Sequence, residues 1–494
     1  MAEITRTFIK GIMNQDLDER ILPDGIYRSA TNITVNSYAS GNIGAVQNAY
    51  GNTLKGDISL ATNVQTITNP IVIGAVAYEP KGLIYWLVTA NEFDGIFEYN
   101  IQSSQTTRVL QCSKPNPGSP LNFNSNYIVT GMNYIEGQDG NNYLFWTDNY
   151  NAPRRININR CKGYTADDPS IADDISVIMA PPLNAPYISL SQDNNPDSTN
   201  LKEKFVYFSY RYKYIDNEYS SMSPFSAVGF DSGSFAIDYE TGDNLGMVNR
   251  KNKIDIHFET GNQFVKEIQL LMRDTRSLNV MVIESFNKDE LSIQNNTTYS
   301  FTFRNNKIYT TLSNDQVTRL FDNVPLKALA QDVIGNRLIY GNYLQFRNIT
   351  DSNDVDINID FNVGYYSETI TNNEPKRSFR SDRDYEVGIV YTDEYGRMTT
   401  VLTPALTNAS NQLSNAVYIP PLASDKANSL QVEIKHAPPS WATNYRLVLK
   451  QNRKEYYNIF PRLYFNQGLF VYFLINERSE EHTSELQSHS DLVC

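Results

Sequence analysis

The strongest constraint on the fold of this chain is a repeat of three β-strand patterns at a nearly constant spacing. The matched segments are 212–219 with 389–397, 254–258 with 430–434, and 268–273 with 445–450. From Asp216 to Asp393 the offset is 177 residues (393 minus 216), and the other two pairs are offset by 176 (430 minus 254) and 177 (445 minus 268). Both members of the first pair, 212–219 and 389–397, consist of an alternating strand and an acidic hairpin turn, and a Ser/Thr-rich strand returns after each. The repeat predicts two copies of one antiparallel β-sandwich module.

A second repeat is a strand–turn–strand unit that carries an aromatic pair. It occurs at 75–99, at 131–158 and, more weakly, at 330–342, with Gly, Pro or Asn in its turns. Short strands repeated at this spacing are typical of the blades of a β-propeller. The segment 145–148 is similar to the tetrad of YWTD propellers, and we expect Trp86 and Trp146 to be buried at equivalent places in successive blades.

Composition agrees with an all-β fold, because 33 Tyr and 23 Phe favour pleated, half-buried surfaces. We predict a β-propeller with inserted fibronectin III-like β-sandwich modules, truncated at the C-terminus. The predicted segments are 1–180 (first propeller blades), 181–325 (first inserted sandwich), 326–370 (return to the propeller), 371–477 (second sandwich, truncated) and 478–494.

The last of these segments differs from the rest of the chain. Residues 478–489 look like the translated sequence of a sequencing-library adapter, and the richness in Tyr, Asn and Ile ends there. We interpret 478–494 as read-through to be excluded from fold reasoning. The alternative is a polar, disordered tail. On the first interpretation the natural chain is cut near Glu477.

Charge and apolar pattern limit the classes of partner. A formal net charge of -13 disfavours sustained DNA binding by phosphate neutralisation. No segment reaches the roughly 18 apolar residues that a membrane helix needs, and the start of the chain has no basic region followed by an apolar core, as a secretory signal would. Three cysteines exclude a disulfide scaffold.

Signals for catalysis are weak, and we predict no catalytic, cofactor-binding or metal-binding residues, no cofactor and no enzyme activity. The chain has no Ser/His/Asp pattern, phosphate-binding Gly loop or zinc motif. His257 and His436 are interpreted as residues in or beside matching sandwich strands. Cys112 and Cys161 are interpreted as packed or partly exposed thiols rather than as nucleophiles.

Two acidic patterns have competing interpretations. Oxygen ligands at alternate positions could hold calcium, but a strand with one wet face and one buried face is favoured; these residues are Asp354, Asp356, Asn358 and Asp360. The loop pairs 167–168 and 173–174 are better explained by solvation or N-capping than by glycoside hydrolysis.

Several motifs carry a resemblance to a known family. They are 11–28, 30–35, 44–48, 51–53, 321–328 and 378–391. These segments resemble the tail stabilisation, or muzzle, proteins of crAss-like phages, which are counterparts of the short-tailed phage nozzle, and the resemblance covers nearly all of 1–476. It implies a structural virion protein that forms a homo-oligomeric, hexameric ring below the portal and adaptor rings, contacting these and other tail proteins. The ring channel would retain and eject the genome, with transient, non-specific passage of double-stranded DNA. The protein would be made in the bacterial host cytoplasm and located in the virion.

Two other functions remain open at this stage. One is a carbohydrate-binding or depolymerising propeller of the phage tail, which would need convergent carboxylates about 5–10 Å apart. The other is an adhesion or receptor-binding propeller, which the absence of a signal peptide and the few cysteines disfavour. For the leading hypothesis, an acidic channel wall would let the duplex slide because it repels DNA at short range. The alternative is that the charge is spread over the surface and serves solubility.

Overall fold

The computed structural model describes residues 10, 12–35, 46–48, 51, 54–62, 64, 66–114, 119–137, 140–165, 167–194, 200–241, 243–275, 277, 279–370, 377–404, 415–451, 464–468 and 470–473. Within these ranges the regular secondary structure is mainly β, with 27 strands, three one-turn α-helices and four short 3-10 helices. The prediction of an all-β fold is confirmed. No sheet in these ranges closes into a barrel or a propeller. The segment 478–494 lies outside the described residues.

The N-terminal segment forms two small two-stranded sheets. Their strands are β1 (Ile12–Met13) parallel to β2 (Ile26–Tyr27), and β3 (Ile33–Val35) antiparallel to β4 (Val46–Asn48). The chain between Ile58 and Ile67 then packs against one face of the next sheet.

Two antiparallel sheets follow in chain order. Sheet A contains β5 (Ile71–Tyr78), β6 (Leu83–Thr89), β7 (Phe93–Asn100) and β8 (Gln105–Ser113). Sheet B contains β9 (Gly131–Glu136), β10 (Asn142–Thr147) and β11 (Arg154–Asn157), and is followed by the helices α1 (Ile158–Cys161) and α2 (Ile171–Asp174). Gly82 closes the turn between β5 and β6 in the left-handed region, with a φ of 60°. Facing residues of the two sheets, among them Leu87 and Leu144, share one buried core.

A two-sheet sandwich is inserted after sheet B. Its strands are β12 (Tyr187–Ser191), β13 (Val206–Tyr214), β14 (Lys253–Glu259), β15 (Val265–Asp274), β16 (Val280–Asn287), β17 (Thr298–Phe303) and β18 (Thr310–Thr311), followed by the helix α3 (Asn314–Val317). The sheet β12-β14-β17 packs on the sheet β13-β15-β16-β18. Inward-facing rings fill the space between the sheets; Phe208 meets Phe303 edge-on at 5.1 Å. We call this unit the first sandwich.

The Ser-rich segment after β13 is not the regular strand that was expected. Ser220, Ser223 and Ser226 donate backbone N–H groups to the carbonyls of residues 212, 210 and 208. The hydroxyl oxygen of each serine accepts a hydrogen bond from the backbone N–H of the same partner residue. Serine at every third position therefore satisfies the backbone N–H and carbonyl of residues 208, 210 and 212 in β13. A regular strand would pair with these residues through every second residue of its own.

Sheet C is the hairpin of β19 (Lys327–Ile334) and β20 (Arg337–Leu344), and it stacks on the face of sheet B that is turned away from sheet A. The predicted turn at Gly335-Asn336 is confirmed: both residues have positive φ, 55° and 59°, as a two-residue hairpin turn requires. The hydroxyl of Thr147 donates to the carbonyl of Ala328 at 2.7 Å. Sheets A, B and C thus form one stack, and the first sandwich leaves the chain between B and C.

The first strands of the stacked sheets approach one another closely. The backbone N–H of Val129, just before β9, donates to Ile73 in β5 at 2.9 Å. A Cβ atom on Gly74 would lie 2.7 Å from the Cβ of Val129, and one on Gly131 would lie 2.7 Å from the backbone nitrogen of Gln331. Because real Cβ contacts are essentially never so short, glycine is required where these strands meet.

The two tryptophans of the aromatic pairs lie on strands, on matching faces. Trp146 is buried in the core between sheets A and B. Trp86 is partly buried on the opposite face of sheet A, where it stacks on Phe97 and is covered by the chain that precedes β5. Each ring therefore faces the part of the structure that comes earlier in sequence. The expected burial is confirmed for Trp146 and is partial for Trp86.

The second sandwich repeats two strand pairings of the first, with β21-β24 corresponding to β12-β14 and β22-β25 corresponding to β13-β15. Its strands are β21 (Phe361–Thr369), β22 (Arg383–Thr392), β23 (Ala416–Ile419), β24 (Lys426–Ile434) and β25 (Asn444–Gln451). The pair β21-β24 packs on the sheet β23-β22-β25. A further antiparallel pair, β26 (Tyr464–Gln467) and β27 (Phe470–Phe473), follows.

The offset of the repeat is not constant at the hairpin. Asn217 and Gly396 hold the same positive-φ position of the two turns, with φ of 63° and 76°, which gives an offset of 179 (396 minus 217). The alignment of Asp216 with Asp393 is therefore wrong by two residues. A shift of two preserves which face each side chain occupies, and for that reason the hydrophobic pattern alone could not detect it.

Candidate functional site

The candidate site is a partly buried set of charges where the first sandwich meets sheet B, which we call the charged junction. It consists of Arg155, Arg160, Asp174, Asp216 and Glu218. Arg155 comes from β11, Arg160 from α1 and Asp174 from α2, while the two other acids come from the hairpin turn after β13. Three elements of one unit thus converge on a single turn of another.

Local sequence places these side chains. The side-chain oxygen of Asn157 accepts a hydrogen bond from the backbone N–H of Arg160 and caps α1 at the end of β11. This cap turns the chain so that the side chains of Arg155 and Arg160 both reach Asp216. On the other side, Asn217 adopts a positive φ that asparagine tolerates, and the turn presents the acids on either side of it.

Hydrogen bonds connect all members of the charged junction. Arg160 donates to Asp216 through both terminal nitrogens, at 2.9 and 3.1 Å, and through Nε to Asp174 at 2.7 Å. Arg155 donates to Glu218 at 2.6 Å and to Asp216 at 3.4 Å. The phenol of Tyr143 donates to Asp216 at 3.1 Å. Bidentate pairing of arginine with carboxylate adds geometric specificity to the charge attraction.

The electrostatics favour the charged forms. Burial raises the pKa of Asp216, but its hydrogen bonds and charge contacts with Arg160 and Arg155 outweigh this effect and hold the pKa below the ordinary value. Burial also opposes the charge on Arg160, yet Asp174 and Asp216 raise the pKa of its guanidinium. The side chains of Arg155 and Asp216 are 6% and 8% exposed, so removal of one partner would strand a buried charge.

The equivalent turn of the second sandwich docks on the same part of the chain. Tyr395, which stands at the position of Asp216 when the turns are aligned, lies near Ser176, just after α2. A Cβ atom on Gly396 would lie 3.0 Å from the ring of Pro181. Residues 154–183 therefore receive the hairpin turns of both sandwiches and connect them to the stack. The arrangement holds modules in place and brings no nucleophile and base together.

The singled-out histidines and cysteines are in the places expected of them. His257 lies on β14 against the ring of Tyr187, at 5.9 Å, and His436 bonds the phenol of Tyr391 at 2.8 Å just after β24. Cys112 and Cys161 are buried in the core between sheets A and B. Burial raises the pKa of the Cys112 thiol to about 11 and also raises that of Cys161.

The prediction of a strand with one wet face at 354–360 is wrong. The chain there makes turns and a single bridge between Thr350 and Asp356, and regular pairing begins only at Phe361. Val355, expected to be buried, is 60% exposed. In the part of the chain that the structure describes, no three His, Cys, Asp or Glu side chains are grouped as metal ligands.

The four acids that were expected in loops have separate roles, and the expectation is wrong for Asp173 and Asp174, which lie in α2. Asp167 accepts a hydrogen bond from the backbone of Ser113 at 2.7 Å, and Asp168 accepts one from the backbone of Ser170 at 2.9 Å. Asp173 accepts from the side chain of Asn262, at 3.1 Å. Asp174 is buried against Arg160, so solvation does not explain it. Sequence reasoning did not identify the arginines, although Arg155 beside Ile156 and Arg160 soon after it, ahead of the acidic pairs, are the available signal.

Comparison with known proteins bears on the N-terminal half. Residues 2–226 match the family model of the Crassvirus muzzle protein, so the resemblance to crAss-like phage muzzle proteins is confirmed over those residues. The match indicates a structural protein of the phage virion. No curated protein matches the chain.

Among solved structures, a chain described as a glycoside hydrolase matches at 12% identity with a TM-score of 0.13, covering 78% of this chain and 81% of that chain. A TM-score this low does not indicate a shared fold. The helices in the described ranges are all too short to span a membrane.

Proposed function

We propose that this chain, a relative of the Crassvirus muzzle proteins over residues 2–226, is a subunit of the tail nozzle ring of a phage. In this role it forms a homo-oligomer, six copies around one channel, through which the packaged genome is retained and then ejected. It contacts the portal and adaptor rings and other tail proteins. The family match is the single observation that carries the proposal.

The stack supports a propeller-like body for the subunit. Sheets A, B and C follow one another face to face, and their first strands approach at Gly74 and Gly131. Blades that fan out from an axis have this relationship, since only their inner strands are close. We propose that the stack is part of a β-propeller and that both sandwiches are fibronectin III-like.

The proposed domain boundaries follow from that assignment. They are 1–180 and 326–370 for the propeller, 181–325 for the first sandwich and 371–477 for the second. The charged junction supports this division, because it is the kind of fixed contact that a subunit needs if its modules are to keep one geometry inside a ring.

The net negative charge of the chain supports a channel that releases DNA. The chain carries 55 acidic against 42 basic residues, and a wall of like charge binds a duplex too weakly to delay its passage. Electron microscopy of the purified protein tests the proposal. We expect class averages with sixfold rings. Particles of a single chain would contradict the proposal, and so would cleavage of a glycan in an activity assay.

A further inference from the structure

A cleft outside the charged junction carries an excess of positive charge. It lies where the segment after β20 meets the hairpin of the second sandwich, and it is partly open to solvent. Its charged lining residues are Arg347 and Arg397, and apolar walls come from Phe346, Met398 and Trp441. We call this the arginine cleft.

One carboxylate serves both arginines. Asp393 accepts a hydrogen bond from Nε of Arg397 at 2.8 Å and lies 3.5 Å from Nε of Arg347. The side chain of Asp393 is 2% exposed, so its charge is committed to this pair. Two guanidinium groups against one carboxylate leave a net charge of about +1 in the cleft, on a chain whose formal charge is -13.

The buried arginine has an unused donor. Arg397 is 7% exposed, and its Nη1 has no hydrogen-bond partner among the described residues. A buried donor of a charged group that lacks a partner costs several times the net value of an ordinary hydrogen bond, so such a group calls for an explanation. Arg347 lies over the ring of Trp441, 5.6 Å from its centroid, and this holds the second guanidinium at the same cleft.

The geometry points to a carboxylate ligand, and we propose that the arginine cleft binds the acidic side chain of a peptide segment from a neighbouring protein in the assembly. A carboxylate accepts from two guanidinium groups at once. The methylene groups of an acidic side chain can pack between the apolar walls and place its carboxylate against Arg397. The phosphate of a duplex is fixed to a wide, rigid backbone and does not reach a side chain buried to this extent. That the segment belongs to a neighbouring protein rests on the proposed nozzle assembly, whereas the nozzle proposal holds equally if this site is empty.

Titration with a small probe tests the site directly. The probe is N-acetyl-glutamic acid α-amide, whose only carboxylate is on the side chain, and the matched ligand is N-acetyl-glutamine amide. Binding is followed by tryptophan fluorescence at constant ionic strength, because Arg347 lies over Trp441. Trp441→Phe identifies the part of the signal that comes from the cleft.

The variants separate the site from general charge effects. We expect saturable binding of the glutamate probe only, at least tenfold weaker in Arg347→Gln and Arg397→Gln. Binding should be unchanged in Arg337→Gln. This substitution removes an exposed arginine from β20, the strand that precedes the segment lining the cleft. If Arg397→Gln fails to fold, Arg347→Gln still decides the result, since its side chain is 35% exposed.

Several results would overturn the proposal. They are no saturable binding by the wild type, equal binding of both probes, equal loss in Arg337→Gln, or a short DNA duplex that binds at the cleft while the glutamate probe does not. The source of the natural carboxylate is found from the mass in solution. A lower mass of Arg347→Gln assigns it to a second copy of this chain. An unchanged mass excludes a contact on which the oligomer depends, and the saturable binding of the glutamate probe alone then supports the site.

Discussion

Arg160 and Asp216 are joined by two hydrogen bonds, of 2.9 and 3.1 Å, across the boundary between sheet B and the first sandwich. They are 56 residues apart in sequence and belong to different units of the fold. The pair fixes a hairpin turn that would otherwise be exposed at the end of the sandwich, and it makes the position of one module dependent on a side chain of another.

Asp216→Asn is expected to destabilise the protein. The substitution leaves Arg155 without its most buried partner and removes half of the charge that compensates Arg160, so we expect a loss of about 3 kcal/mol in the free energy of unfolding. Urea unfolding followed by tryptophan fluorescence measures it. Glu218→Gln is the matched control, because Glu218 is 45% exposed and its pair should contribute less than about 1 kcal/mol. Equal losses in the two variants would contradict the account.

The same pair predicts a dependence on acid. The pKa of Asp216 in the folded protein is below its ordinary value of 3.8. The ion pair therefore contributes its full stability above the unfolded pKa, and this contribution is lost as the pH falls through the folded pKa. The free energy of unfolding of the wild type should fall more steeply below about pH 4 than that of Asp216→Asn. Parallel pH profiles would show that Asp216 has no perturbed titration.

Gly131→Ala should disturb the stack. Its new Cβ would lie 2.7 Å from the backbone of Gln331, so sheet C must shift, at a cost of about 1–3 kcal/mol. Hydrogen exchange of residues 327–344 should accelerate more than that of the sandwiches. Gly364→Ala in β21 is the control, because a Cβ there meets no atom within 4 Å. Slow exchange of sheet C in the Gly131 variant would argue against close packing of the first strands.

Much of the local structure could be predicted because it is determined by short-range sequence. The alternation of apolar residues located β13 and β22, and Gly335-Asn336 has the positive φ values of a two-residue hairpin. The segment 354–360 shows the limit of this reasoning. Its alternation is that of a strand, but only one bridge forms there, so Val355 has no core to enter.

The charged junction could not be predicted, for a different reason. An acidic turn between strands is ordinarily solvated, and the sequence alone does not say that Asp216 meets Arg160, because their approach depends on how two units dock. The two-residue error in the repeat has the same origin. Offsets of 177 and 179 residues place the same face of the strand inward. The hydrophobic pattern therefore cannot choose between them, and the register is decided by which residues pair.

The thiols offer a check on the core between sheets A and B. Cys112 and Cys161 are buried, and burial raises the pKa of Cys112 to about 11. In a Cys494→Ser variant at about pH 8, both should react slowly with a thiol reagent until the protein is unfolded, since the thiolate is the reactive form. Rapid labelling of either cysteine in the native protein would contradict the packing of this core. The denatured variant provides the control for complete labelling.

The mass of the purified protein in solution, measured by light scattering after size-exclusion chromatography, tests the central claim most directly. If the chain builds a channel wall through contacts between copies, the protein should be a single species with the mass of six chains. A species with the mass of one chain at every concentration measured would contradict it.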